Sequence, residues 1–583
     1  MALPNIWGQG SIFAFSSLDG ISTFENSLSG TLLGDKVGIL FHTATKKELF
    51  IKFNDVEDLK FVIVASDIIK ANYKDRSSGE YKKLCIVFAS EDTVIGYTAK
   101  SAYPIINSYD AEASCMNPGI NLHKSDGEFT VLNLEDDEGI IRFSFSYSKK
   151  SEEDALKKAN RGLNVDIDKL VADKINFYCS LPQGSGLDEI QSKTLKKCFS
   201  IMKSQCYSAE GRFKSRWTTP DRVPHKRLWL WDSIFHSIGN KYIVPKMAYE
   251  SIKAVFDTQR EDGFIPHFAD PNFCSNITQP PVIAWGLYDL YSYTGKEDIL
   301  KEQYERLKKY LLWNIKNRDS NHNYLFEWEI NSDSVSNRCD ESGMDNSTRF
   351  DNVVAMDTID FSCFMANEAK YMSKISDIFK LEDEKKFWDT VFKKIKAAVN
   401  DQLWDDETHF YYDRILASGK FKKIQAVSSF LPLFSGICDE KRAKYLVDYL
   451  TDEDYFGTTF PVPSISKKEC VFGTDMWRGP VWINYNYMII VGLMDYGYID
   501  LARSIAKKTI EVLAFWYQHD GVIYEFYDPN NIISPSRLNR KASNVYPYDF
   551  NISMPSIRDY GWSACLYVAL VLNERLKINY QPL

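Results

Sequence analysis

The sequence predicts a multidomain β + α molecule: an N-terminal antiparallel β-sandwich over residues 1–150, a helical linker over 151–186, and a toroid of helical hairpins over 187–583. Three observations carry this. The first part consists of short Val-, Ile-, Phe- and Tyr-rich runs at even spacing. Near residue 187 the hydrophobic period changes from two to about 3.6. Beyond that point nearly apolar helices alternate with amphipathic ones, as an inner ring wrapped by an outer ring requires.

Taken in order, the predicted strands are KVGILFHT, KELFIKFN, KFVIVASDII, KLCIVFAS, EFTVLNL and IIRFSFSYS. Turn clusters such as Asp75 to Gly79 and Ser125 to Gly127 separate them. The opening WGQGSIFAFSSLDG, with Asp19, admits two readings: a loop reaching a neighbouring domain, or a first strand and turn. SEEDALKKANRG is a short polar helix, and the Pro/Gly/Ser break in LPQGSGLDEI marks the domain boundary.

About twelve helices follow, from LDEIQSKTLKKCFSIMKSQ to WSACLYVALVLNERL. Pro245, Pro280 and Pro480 stand near helix starts, and Gly295 and Gly497 near helix ends. PPVIAWGLYDLYSY, GPVWINYNYMIIVGL and WSACLYVALVL are apolar nearly all round and belong inside. PKMAYESIKAVFDTQRE, the Lys-rich helix over 299–318 and the helix over 383–400 have charged faces and belong outside. No sequence period of the solenoid kind recurs.

Composition removes several function classes. A net charge of -9 without a basic patch argues against a nucleic-acid partner. No apolar run reaches about 18 residues, so no membrane span is expected. The start has no basic n-region, and no signal peptide is expected. The 11 cysteines show no CxxC, and Cys198, Cys363 and Cys565 fall inside apolar helical patterns. A reducing, cytoplasmic setting without metal or other cofactor is the expectation. Phosphate-loop, dinucleotide, zinc-protease and serine-hydrolase motifs are absent. DSNHNYLFEW, from Asp319, reads as a tight turn; it lacks the glycine and terminal acid of a calcium loop.

The chemistry lies between helices. ESGMDNSTRFD, residues 341–351, gathers ionised side chains that are costly to bury unless paired or hydrogen-bonded, so it is either a solvated inter-helix loop or the lining of a polar cleft. Asp345 is its candidate catalytic acid; crowding by Glu341 and nearby aromatics is expected to raise its pKa. Glu525, in YEFYDP, is the second carboxylate, alternating with aromatics as on a strand edge; it either faces the cleft or is an exposed strand residue. Two carboxylates on separate loops of one cavity suffice for glycoside hydrolysis. Asp232, in LWLWDSIFH, is either a helix N-cap or an acceptor for sugar hydroxyls, with Trp229 or Trp231 as a stacking platform. Arg478, after Trp477, can hold a carboxylate bidentately or form a surface ion pair. His267 either touches substrate or is structural. Gln279 either reads a hydroxyl or caps a helix.

Taken together and in order, WDSIFH, GFIPH, ITQPP, ESGMDNS, WRGPVWIN, YEFYDP and GWSA resemble the (α/α)6 glycosidases, chiefly glycoside hydrolase family 63, with trehalases more distant. They span about 230–565, a little over half of the chain. The resemblance implies an inverting exo-acting hydrolase of α-linked gluco- or manno-configured oligosaccharides or small glycosides. It places the general acid at Asp345 and the general base at Glu525. It also implies that Trp231, Asp232, Gln279, Trp477 and Arg478 form the subsite for the non-reducing sugar; Trp229, His267 and Glu341 complete the candidate binding set. The partner is a small glycoside, and the oligomeric state is open. The PGGRF and QWDxPN segments of trehalases are missing, which argues against trehalose. The alternatives are an α-L-rhamnosidase-like hydrolase or a non-catalytic carbohydrate-binding protein on the same scaffold.

Overall fold

The computed structural model describes residues 6, 8–33, 38–45, 48–53, 56–108, 119–331, 333–334, 336–541 and 556–576. Trp7 and the ends Lys36, Val37, Lys47 and Asn54 of two predicted strands lie outside them. The chain forms two compact units: 1–211 with 221–226 and 516–523, and 212–220 with 227–515 and 524–583.

The first unit is built on twelve strands, β1 Ile12–Ala14, β2 Ser29–Leu33, β3 Gly38–His42, β4 Glu48–Phe53, β5 Val56–Ala65, β6 Ile68–Asp75, β7 Tyr81–Ser90, β8 Thr93–Ala99, β9 Pro104–Ser108, β10 Ile120–Ser125, β11 Glu128–Asp137 and β12 Ile140–Ser148. They form two antiparallel sheets, ordered β1-β2-β3-β4-β9 and β10-β11-β12-β8-β7-β6-β5. Period-two alternation makes the seven-stranded sheet two-faced. On β7, Leu84, Ile86 and Phe88 enter the core shared with Phe13, Ile39, Phe41 and Ile51 of the other sheet. Cys85 and Val87 point the opposite way, to a second core with Ile167 and Val171.

Those last two residues belong to a helix that the sequence pattern did not single out. The stretch 151–186 carries α1 Glu152–Leu163 and α2 Ile167–Ser180. Ser151 caps α1 by accepting the Asp154 N–H. Ala155 and Ala159 of α1 pack on Val131, and α2 packs on β7. The run KFVIVASDII, read as one strand, is divided by a turn at Ser66 and Asp67 into β5 and β6. The cause is Asp67, whose buried carboxylate meets Lys174 at 2.6 Å and Lys203 at 2.9 Å. Asp19 joins the same cluster, 2.6 Å from Lys203, so the opening segment supplies both a first strand and a loop that pairs within its own unit. Lys203 stands on α3, Glu189–Ser204, which begins with a reciprocal capping box between Asp188 and Gln191.

The second unit holds α4 Leu230–Asn240, α5 Pro245–Phe256, α6 Ile283–Thr294, α7 Asp298–Asn317, α8 Ile359–Ile378, α9 Glu382–Gln402, α10 Leu431–Ser435, α11 Glu440–Thr451, α12 Ile483–Asp495 and α14 Gly561–Leu572; α13, Ile499–Asp520, precedes α14. Helix α4 packs on α6, α6 on α8, α8 on α10, α10 on α12, α12 on α14, and α14 returns to α4. This closed circuit is the inner ring of the toroid. Every residue of α4 is buried, whereas α7, α9 and α11 bury one stripe each. The ring closes tightly at Gly239, where a Cβ would lie 2.6 Å from the Cys565 carbonyl.

Candidate active site

The loops that lead into the inner helices carry the predicted residues. Asp345 follows a short 3-10 turn, Asp340–Ser342, and then Gly343 at φ 71°. A Cβ on Gly343 would stand 2.3 Å from the Trp231 indole, so only glycine lets this loop lie on that ring. The Asp345 carbonyl accepts the Cys339 N–H at 3.1 Å. On the other side, Asn346 accepts the Trp477 N–H through Oδ1 and the Arg478 Nε–H through its carbonyl. Asp345 is therefore clamped before and after. Beyond it, Arg349 is buried between Asp360 and Asp413 and donates two hydrogen bonds to each, at 2.6–3.0 Å. That knot ties the loop to the start of α8.

Glu525 is buried and exchanges backbone contact with Ile557, donating its N–H to the Ile557 carbonyl at 2.9 Å. Its neighbour Phe526 pairs with Trp482 in a two-residue ladder, which brings the YEFYDP segment beside the start of α12. The Glu525 carboxylate accepts Arg540 Nε–H at 3.0 Å. The next residue, Lys541, places Nζ 2.8 Å from Asp345. Two carboxylates from distant loops thus converge on one basic dipeptide. Burial works against the Arg540 charge, but Glu525 and then Asp345 hold its proton above the usual range.

Asp340 and His267 also face this group. Lys541 donates to Asn337, and Asn337 donates to Asp340 at 3.1 Å. Burial first, and then the negative charge of Asp345, push the Asp340 carboxyl up to about 7. His267 is lowered to about 3 by burial, so its ring is neutral at ordinary pH; Asp345 opposes that shift. Its Nδ1 lies 2.7 Å from the Ser275 hydroxyl. Trp229 keeps partial exposure and packs edge-on to the His267 ring at 5.0 Å.

Other expectations change once the contacts are known. Glu341 does not crowd Asp345: its buried carboxylate accepts the Thr278 and Glu329 N–H groups and Arg318 at 2.6 Å, and it serves to bind three loops together. Asp232 is not the N-cap of its helix; it lies in the first turn of α4, whose cap position is Trp229, and it accepts the Tyr560 hydroxyl. Gln279 accepts the Trp231 N–H at 3.1 Å, so it satisfies an orphan donor of α4 rather than of the helix that follows it. Arg478 holds Asp351 at 2.9 Å. Trp231 and Trp477 are buried in packing: Trp477 stacks on Trp482 at 3.8 Å, and Trp482 and Trp231 both meet Trp562. Near Asp319, the carboxylate accepts the Asn323 and Tyr324 N–H groups, which makes the segment a tight turn.

Sequence reasoning missed Arg540, Lys541, Asp340, Asn346 and Tyr560. The pair in SRLNRKASN had one available signal, two adjacent cations in a polar stretch, and no periodicity to place it.

Residues 224–531, a little over half of the chain, match the family model for the mannosylglycerate hydrolase MGH1-like glycoside hydrolase domain. The mannosylglycerate hydrolase of Rubrobacter radiotolerans is 24% identical over 402 residues, covering 53% of this chain and 87% of that protein. An uncharacterized protein of Borreliella burgdorferi is 28% identical over 260 residues, 43% of this chain and 51% of that one. Among solved structures, the GH63 mannosylglycerate hydrolase of Thermus thermophilus in complex with Tris and D-glycerate aligns with TM-score 0.52 at 21% identity, over 64% of this chain and 99% of the other. A bacterial glucoamylase complexed with acarbose aligns with TM-score 0.61 at 11% identity, over 100% and 96%. Both likenesses establish the fold, a β-sandwich followed by an (α/α)6 toroid. No helix among the described residues is long and apolar enough to cross a membrane.

Proposed function

The chain belongs to the family of mannosylglycerate hydrolase MGH1-like glycoside hydrolases, and from this premise we propose that it hydrolyses a small α-linked gluco- or manno-configured glycoside with inversion, Asp345 acting as general acid and Glu525 as general base. One observation supports the pairing above the others: Arg540 and Lys541, consecutive in the chain, contact the two carboxylates separately. An acid on one side of a glycosidic bond protonates the leaving oxygen; a base on the other activates water. Arg540 stands 3.0 Å from Glu525 and supplies the counter-charge beside that carboxylate. Buried Trp231, Gln279 and Trp477, with half-buried Arg478, act by holding the loops, while Asp232 and Trp229 remain the proposed sugar contacts.

Lys541 gives the reading an aglycone. Its ammonium stands 2.8 Å from Asp345. A leaving group that carries its own carboxylate can take that ammonium as its counter-ion. Several relatives are named for a substrate of that kind, mannosylglycerate. The test is hydrolysis of α-mannosyl and α-glucosyl glycerates beside neutral disaccharides, with the released sugar followed by NMR at early times. Inversion requires the β-anomer first; the α-anomer first would refute it. Asp345→Asn and Glu525→Gln should each abolish turnover while ligand binding persists. If the wild type binds the glycoside and cleaves nothing, the protein is a binding module.

A further inference from the structure

A second site lies on the outer helix α7, apart from the two carboxylates. A cavity of about 320 Å³ is lined by Asp262, Lys309, Leu312, Trp313, Lys316 and Asn317. Lys309, Leu312, Trp313 and Lys316 fall at i, i+3, i+4 and i+7, one face of the helix. The stripe that α7 buries, Leu300, Tyr304, Leu307, Leu311 and Asn314, lies on other positions, so this face is not demanded by the core.

The walls are fixed before any ligand arrives. Gly263, at φ 99°, lies so close to α7 that a Cβ would be 2.5 Å from the Lys309 carbonyl. Asp262 accepts the Phe264 N–H at 3.2 Å and pairs with Arg260 at 3.0 Å. The Trp313 indole packs edge-on to Phe264 at 4.9 Å. A rigid aromatic ring beside Leu312 presents an apolar platform of the kind that the C–H face of a pyranose covers. The cations differ from their neighbour Lys308, which pairs with Glu384. Among the described residues neither Lys309 nor Lys316 forms an ion pair, in a chain of net charge -9.

We infer that this cavity is an accessory binding site for a pyranose bearing an anionic group, a phosphate or a carboxylate, the ring on Trp313 and Leu312 and the charge between Lys309 and Lys316. The site has a physical link to the loop of Asp345. The Arg318 guanidinium stands over the Trp313 ring at 5.3 Å and donates to Glu341 at 2.6 Å. This inference is independent of the roles proposed for Asp345 and Glu525.

Calorimetric titration of the full chain with glucose 6-phosphate, glucuronate and methyl α-glucoside tests it. The expected result is that at least one anionic probe binds about tenfold or more tightly than the neutral one. The double variant K309A/K316A, altered only at surface lysines, loses about tenfold or more of that affinity, whereas Asp345→Asn leaves it unchanged. Preference for glucose 6-phosphate or for glucuronate identifies which anion the site takes. Equal binding of the neutral sugar, binding unaltered in the double variant, binding lost in Asp345→Asn, or no binding of either anion would each overturn the proposal.

Discussion

Two ion clusters on neighbouring stretches of the helical unit use the same residue types to opposite ends. Around Arg349 each guanidinium donor toward Asp360 and Asp413 is engaged, Trp328 fills a further acceptor of Asp360, and the Ile359 N–H fills one of Asp413. Around Asp345 and Glu525 the cations are divided one to each acid, by a lysine and by a single arginine. The first arrangement leaves little for a ligand to do. In the second, Arg540 reaches both Glu525 oxygens and the Ile557 N–H meets one of them, Lys541 meets Asp345, and the cations come from outside the ESGMDNS loop. How many acids share one cation, rather than the presence of acids, separates the two clusters.

The widest separation between the clusters should appear in mutants. Asp345→Asn and Glu525→Gln should lower kcat by about 10³-fold or more, with thermal midpoint nearly unchanged; a mutant that unfolds instead would mean the acids are staples too. Arg349→Met should do the reverse, costing about 3–5 kcal/mol in chemical denaturation because two buried carboxylates lose their partner. Glu368 offers an intermediate case. It caps the start of α6 by accepting the Ala284 and Trp285 N–H groups, and burial pushes it from 4.5 up to about 7. Between those values the unfolded chain releases the proton while the folded chain keeps it. Stability should therefore fall as pH rises from about 5 to 7 and level off above, by about 3 kcal/mol at most. The Glu368→Gln variant should show a flatter stability curve over that range. The smallest effect concerns Asp340. Burial and then the negative charge of Asp345 push its carboxyl up to about 7. Asp340→Asn should remove a small limb near pH 7 from the kcat/KM profile; an unchanged profile would show that Asp340 is only structural.

The helices were readable because each carries its own period and punctuation. Pro245 at the first position of α5 and Gly295 in the left-handed conformation after α6 are local facts. The split of KFVIVASDII was not readable, because the turn depends on Lys174 and Lys203 meeting Asp67 from helices more than a hundred residues later. The candidate site divides the same way. Asp345 and Glu525 stood out as acids in uncharged or aromatic company. Glu341, equally acidic and four residues before Asp345, was grouped with them because its partners Arg318, Thr278 and Glu329 lie elsewhere in the chain.

By itself the sequence determined the class of each segment, the order of the helices and the loops in which carboxylates concentrate, since these follow from spacing and composition along the chain. Only the tertiary structure decided which donors each carboxylate receives: that Arg349 joins Asp360 to Asp413, and that Arg540 and Lys541 attend Glu525 and Asp345. The reason is that hydrogen-bond saturation is a property of the partners, and folding brings those partners from segments whose local patterns carry no record of one another.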